Sequence, residues 1–194
     1  MAPNRIMRGR TARRALLLGA VVTGLAAGLF ACGGGSDSDK EADAGVLNEI
    51  LARQLAVVDA YGEALPALRG EDLATAREFR SQEQEHVNET MKTLRGLGGE
   101  AEPPDETIEA EGLETRRDAL EFLYEMESAT IDAELNAVAR LTIDWPRPVI
   151  AAMAANQAQR LVLIRRALGA QPLETVPEAF ETGETPAPQE TVEP

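Results

Sequence analysis

The chain has 194 residues and a formal net charge of −14, with 33 acidic side chains against 19 basic ones. So acidic a surface argues against binding nucleic acid and against electrostatic adhesion to anionic lipid. A single cysteine, Cys32, excludes an intramolecular disulfide, and a single histidine, His86, leaves no second imidazole for general-base work.

Residues 1–31 carry five arginines (Arg5, Arg8, Arg10, Arg13, Arg14) and no acid, and "ALLLGAVVTGLAAGLF" runs from Ala15 to Phe30. A basic start followed by an apolar run of this length predicts an export signal, too short for a spanning helix. It ends in "LFAC", Leu29 to Cys32, which resembles the lipobox of bacterial lipoproteins. Cys32 is therefore expected to carry lipid and to anchor the protein on the outer face of the bacterial cytoplasmic membrane, in the cell envelope. Arg13-Arg14 before "ALLL" also resembles a twin-arginine signal. The formal charge of −14 becomes −19 without the five arginines of the signal, so membrane attachment is expected from acyl chains and not from the protein surface. Residues 32–44, "CGGGSDSDKEADA", read as a flexible tether. At the other end, residues 171–194 hold six glutamates, five prolines and no basic residue, a composition that predicts disorder.

What remains, residues 45–170, is the size of one domain. It is rich in Ala, Leu and Glu, and four segments show helical periodicity. The first runs from about Val46 to Leu65, closed by Pro66 and Gly70. The second runs from about Asp72 to Leu97 and stops at Gly98-Gly99. The third starts near Thr115, an N-cap, and ends near Leu141. The fourth starts at Pro146 and Pro148 and ends at Gly169. Long helices joined mostly by short connections predict an all-α antiparallel four-helix bundle.

Steps of three and four residues define the seam of each helix. They give Leu47, Ile50, Gln54, Val57, Tyr61 and Leu65 on the first, and Phe79, Glu83, His86, Thr90, Leu94 and Leu97 on the second. The third gives Leu120, Leu123, Glu127, Thr130, Glu134, Val138 and Leu141. The fourth gives Ile150, Met153, Gln157, Arg160 or Leu161, Ile164 and Leu168. Each apolar stripe is interrupted near its middle by polar residues, which should meet inside the bundle. Unpaired buried carboxylates cost several kcal/mol, so something must neutralise Glu83 and Glu127. Tyr61 and Tyr124 read as core residues with satisfied hydroxyls, Met91, Met126 and Met153 as core filler, and Trp145 as a plug at the bundle end.

The segments "QEQEHVNETMKTLRGLGG", "EMESATIDAE" and "QAQRLVLIRRALG" resemble the ferritin-like superfamily. The likeness covers nearly all of the domain and is to exported bacterial ferritin-like domains more than to iron-storage ferritins. A weak internal repeat accompanies it: "QLAVVDAY" (54–61) aligns with "ESATIDAE" (127–134), and Gln54 precedes Glu83 by 29 residues as Glu127 precedes Gln157 by 30. In the di-iron and di-manganese members, two helices give one Glu each and the other two a Glu-x-x-His each. The resemblance places Glu83, His86 and Glu127 at ligand positions. Gln54 stands where a glutamate is expected, and Gln157-x-x-Arg160 where the second Glu-x-x-His is expected.

A glutamine carbonyl is a neutral oxygen, and Arg160 has no lone pair to donate and brings a positive charge of its own. A two-metal centre is therefore not expected. Two readings remain. In one, Glu83, His86 and Glu127 hold a single Fe, Mn or Zn ion, with Glu134 as a further ligand. In the other, Arg160 pairs with Glu83 or Glu127, with Glu134 as a second partner, and closes a buried polar network. Gln54 and Gln157 read as hydrogen-bonded core amides. The functions that follow are a non-catalytic or residual-metal module of the envelope, partnered by another envelope protein or a second copy, or a mononuclear or di-iron/di-manganese oxidase or peroxide scavenger.

Overall fold

A computed structural model describes residues 35–102, 104, 110 and 112–171. The expected signal, Cys32 and nearly all of the acidic tail lie outside the described residues. Four α-helices follow one another: α1 (Asp37–Ala64), α2 (Gly70–Leu97), α3 (Arg116–Arg140) and α4 (Arg147–Ala167), with a 3-10 turn at Leu65–Ala67 between the first two. No described helix is long and apolar enough to cross a membrane.

The helix ends follow from local chemistry. Ser36 and Asp39 form a capping box at the start of α1, and Thr115 and Asp118 form another at the start of α3. Gly98, with φ 83°, takes the left-handed conformation that ends α2, and its N–H and that of Gly99 satisfy the carbonyls of Arg95 and Leu94. Pro146 precedes α4, where a missing N–H costs nothing.

Cross-helix bonds give the directions. Going up α1, Asn48, Gln54 and Val58 meet Glu100, Thr90 and Arg80 in descending order. Likewise Asp43, Glu49, Gln54 and Tyr61 of α1 meet Thr142, Arg140, Glu134 and Glu127. Arg116 and Glu127 meet Ala167 and Arg160. Every one of these pairs is antiparallel. The helices α1 and α2, α3 and α4, and α1 and α3 pack closely, whereas α2 and α4 touch at few points.

The core has two apolar halves. One holds Val57, Tyr61, Phe79, Leu120, Leu123 and Ile164, and the other Leu47, Ile50, Val87, Leu94, Ile150 and Met153. Between them lies a layer of polar side chains, which is described below.

One expectation needs correcting. The tether was placed at residues 32–44, yet α1 starts at Asp37. The acids that suggest a solvated linker act instead as a helix start, where carboxylates meet unpaired N–H groups. Asp43 is a core residue, 1% exposed. Its carboxylate accepts from Thr142 N–H and Oγ1 (2.9 and 3.0 Å) and from Ile143 N–H (2.9 Å), so α1 fixes the turn between α3 and α4. Trp145, expected as a plug, lies edge-on over Gly96, where an added Cβ would fall 2.8 Å from the ring, and stays 43% exposed.

Removing the Asp43 carboxylate leaves buried donors unmet. Asp43→Ala should lower the unfolding free energy by roughly 2–4 kcal/mol, measured by urea denaturation. A variant as stable as the parent would contradict this role.

Candidate functional site

The polar layer is built by residues from all four helices. Gln54, Glu83, Thr90, Glu127, Thr130, Glu134 and Gln157 are each 0% exposed, and Arg160 is 2% exposed. At its centre is the Arg160 guanidinium. Nη1 donates to Glu127 Oε1 at 2.8 Å and Nη2 donates to Glu83 Oε2 at 2.9 Å. One turn back on α4, Asn156 Oδ1 accepts from Nε (3.3 Å) and Nη2 (3.1 Å), and the Phe79 ring centroid lies 5.8 Å from the guanidinium carbon.

The two carboxylates are held differently. Glu83 also faces the amide of Gln157 (3.4 and 3.5 Å) and His86 Nδ1 at 3.2 Å. Burial raises its pKa, but the hydrogen bond from His86 and the charge of Arg160 outweigh that and hold it below the ordinary value. Glu127 takes both the Tyr61 hydroxyl (2.6 Å) and Arg160 on the same oxygen, and its Oε2 has no hydrogen-bond partner among the described residues. For Glu127 burial wins, and its carboxyl is pushed upward despite the arginine. Burial also opposes the Arg160 charge, yet the Glu127 and Glu83 carboxylates hold it above its ordinary value. Tyr61 is raised by burial and by the Glu127 charge, so its hydroxyl stays a donor.

His86 sits at the edge of the layer, its side chain 13% exposed. Its Nδ1 lies 3.2 Å from both Arg160 Nη2 and Glu83 Oε2, so it accepts from the first or donates to the second according to its tautomer.

Glu134 was expected as a further ligand or as a second partner for Arg160. Its hydrogen-bond partner is a different side chain: its Oε1 accepts from Gln54 Nε2 at 3.1 Å. Gln54 in turn accepts from Thr90 at 2.8 Å and lies 3.3 Å from Met153 Sδ, a hydrogen-bonded core amide as expected. Gln157 is looser, with Oε1 unpartnered among the described residues. Asn156 was missed, although its i, i+4 spacing to Arg160 on α4 is the signal that would have found it.

A pair of divalent ions would need carboxylates at Gln54 and Gln157 and an imidazole at Arg160. The guanidinium instead lies within hydrogen-bonding distance of both carboxylates closest to it, so this donor set does not fit a metal pair. Glu83, His86 and Glu127 do come together, as the sequence suggests, but around that guanidinium. Among the described residues no three His, Cys, Asp or Glu side chains are disposed to hold a metal ion.

Burial pushes the Glu134 carboxyl from its ordinary 4.5 up to about 9, the Gln54 hydrogen bond offsetting only part of this. Between those values the unfolded chain has lost this proton and the folded chain keeps it, so stability falls as pH rises through the interval. Glu134→Gln, which carries no titrating proton, should match the parent near pH 5 and exceed it by several kcal/mol near pH 9 in urea unfolding. The same pH dependence in both proteins would contradict a protonated Glu134.

No family model matches the chain, and no curated protein does. Solved structures do. A ferritin-like, diiron-carboxylate protein from Bacillus anthracis str. Ames superposes with a TM-score of 0.56 at 22% identity, over 68% of this chain and 98% of that one. A conserved hypothetical protein from Mycobacterium tuberculosis superposes with a TM-score of 0.61 at 20% identity, over 73% and 99%. At such identities the likeness shows the fold alone: the described part of this chain is an antiparallel four-helix bundle with the fold of these two proteins.

Proposed function

We propose that the protein is a lipid-anchored ferritin-like module of the cell envelope whose metal site has degenerated, and that it acts by binding a partner and not by catalysis. The observation that carries this reading is the Arg160 guanidinium, 2.8 Å from Glu127 and 2.9 Å from Glu83. A cation built into α4 cannot change oxidation state, cannot exchange, and offers no open coordination position to oxygen or peroxide. The "LFAC" segment ending at Cys32 supports the anchor, and the acidic composition supports attachment through acyl chains alone.

The test is elemental analysis for Fe, Mn and Zn on protein purified without chelator or metal-affinity resin. The parent should hold far less than one equivalent per chain. The combined substitution Gln54→Glu, Gln157→Glu and Arg160→His restores the full ligand pattern and should take up metal, showing that the scaffold remains suited to it. About one equivalent in the parent, lost in His86→Ala with helix content retained, would overturn the reading in favour of a metal-dependent enzyme.

A further inference from the structure

Where α2 and α4 stand apart, near the first turns of α2 and the last turns of α4, a cavity of about 370 Å³ opens to solvent on one side. Its floor is apolar, with Tyr61, Phe79, Leu120, Leu123 and Ile164, its rim is polar, and at its edge Leu163 is 46% exposed. It is also next to the buried layer, since Tyr61 bonds Glu127 and Phe79 lies under Arg160. A hollow of this size with an apolar floor, a polar rim and a large leucine uncovered at its mouth is a place for an occupant.

The lip of the cavity is charged unevenly. On the α2 side Asp72 is neutralised by Arg116 (2.6 Å), leaving Glu71. On the α4 side the last turn ends in Arg165 and Arg166, of which Arg166 is exposed and lines the mouth. Ala167, the last residue of α4, is itself part of the wall, and the chain leaves from there through Gly169 (φ 95°). The 23 residues that follow the described part, 172–194, begin "PLETVPEAFETGE". They contain six glutamates, no base and one aromatic, Phe180.

We infer that the cavity is the docking site of the chain's own C-terminal segment, with Phe180 in the apolar hollow and its flanking glutamates toward Arg166. Three observations favour this occupant over a second copy or a free apolar molecule. The segment starts at the wall of the cavity, so nine residues, each spanning at most ~3.3–3.6 Å, reach it easily. Tethering gives it a local concentration in the millimolar range, which a partner in solution does not have. Its charge is opposite to that of the α4 lip, and Phe180 is an apolar group of a size the cavity accepts. Docking covers Leu163. This inference does not depend on the proposed function.

The test uses the full mature chain and two variants, Phe180→Ser and Arg166→Glu, with Nile red as an uncharged probe of apolar cavities and amide hydrogen exchange over residues 160–167. The parent should bind the dye weakly, and both variants should bind it several-fold more and exchange faster at the end of α4, with helix content unchanged. High salt should move the parent toward the variants, because the attraction at the lip is screened. Equal dye binding and exchange in the parent and Phe180→Ser would overturn the assignment. So would a dimer in sedimentation that keeps the cavity closed in both variants, since a second copy would then be the occupant.

Discussion

A guanidinium held between two carboxylates, all three almost wholly buried, is the constraint to which the rest of the molecule conforms. Each of the three charges would cost several kcal/mol to bury alone. Arg160, Glu83 and Glu127 are tolerated only because they come from three helices and meet at one height. Replacing such a group by apolar side chains of equal volume often costs little, so its contribution is better understood as selection of register. A slip of α4 by one turn would strand Arg160 in one apolar half of the core and leave both carboxylates without a counter-charge.

That requirement explains the arrangement around it. The two apolar halves close off the polar layer from either end, and the hydroxyl of Tyr61, the amide of Asn156 and the ring of Phe79 each meet one side of the ion cluster. The layer continues one level further through Gln54, Thr90 and Glu134, where a carboxyl that stays protonated replaces a second charge. Only the α2–α4 side is less tightly closed, and there His86 meets solvent. In this layer a single arginine supplies the positive charge that both carboxylates require.

Much of this was legible in the sequence because both relevant signals are periodic. The seams place Gln54, Glu83, Glu127, Gln157 and Arg160 correctly, since helical spacing determines which residues face inward. Gly98, Thr115 and Pro146 mark helix ends by chemistry that depends on immediate neighbours. What could not be read depends on partners distant in sequence. Asp43 looks like one acid among several in a linker until Thr142 and Ile143, about a hundred residues away, supply its donors. Glu134 shares a seam with Glu127, but spacing along α3 does not reveal that Gln54 of α1, and not Arg160, lies opposite it. Trp145 has the size of a plug, yet Gly96 sets it edge-on and half in solvent. The expected signal and the expected lipid on Cys32 fall outside the described residues.

The most direct measurement is a thermodynamic cycle by urea unfolding at neutral pH, joining Arg160→Met with the paired substitution Glu83→Gln and Glu127→Gln. The account predicts that Arg160→Met alone loses ~3–5 kcal/mol, and that much of this loss disappears when the carboxylates are also neutralised, because no buried charge is then left uncompensated. Losses that simply add would show that the arginine and the two glutamates do not depend on one another, and the central claim would fail.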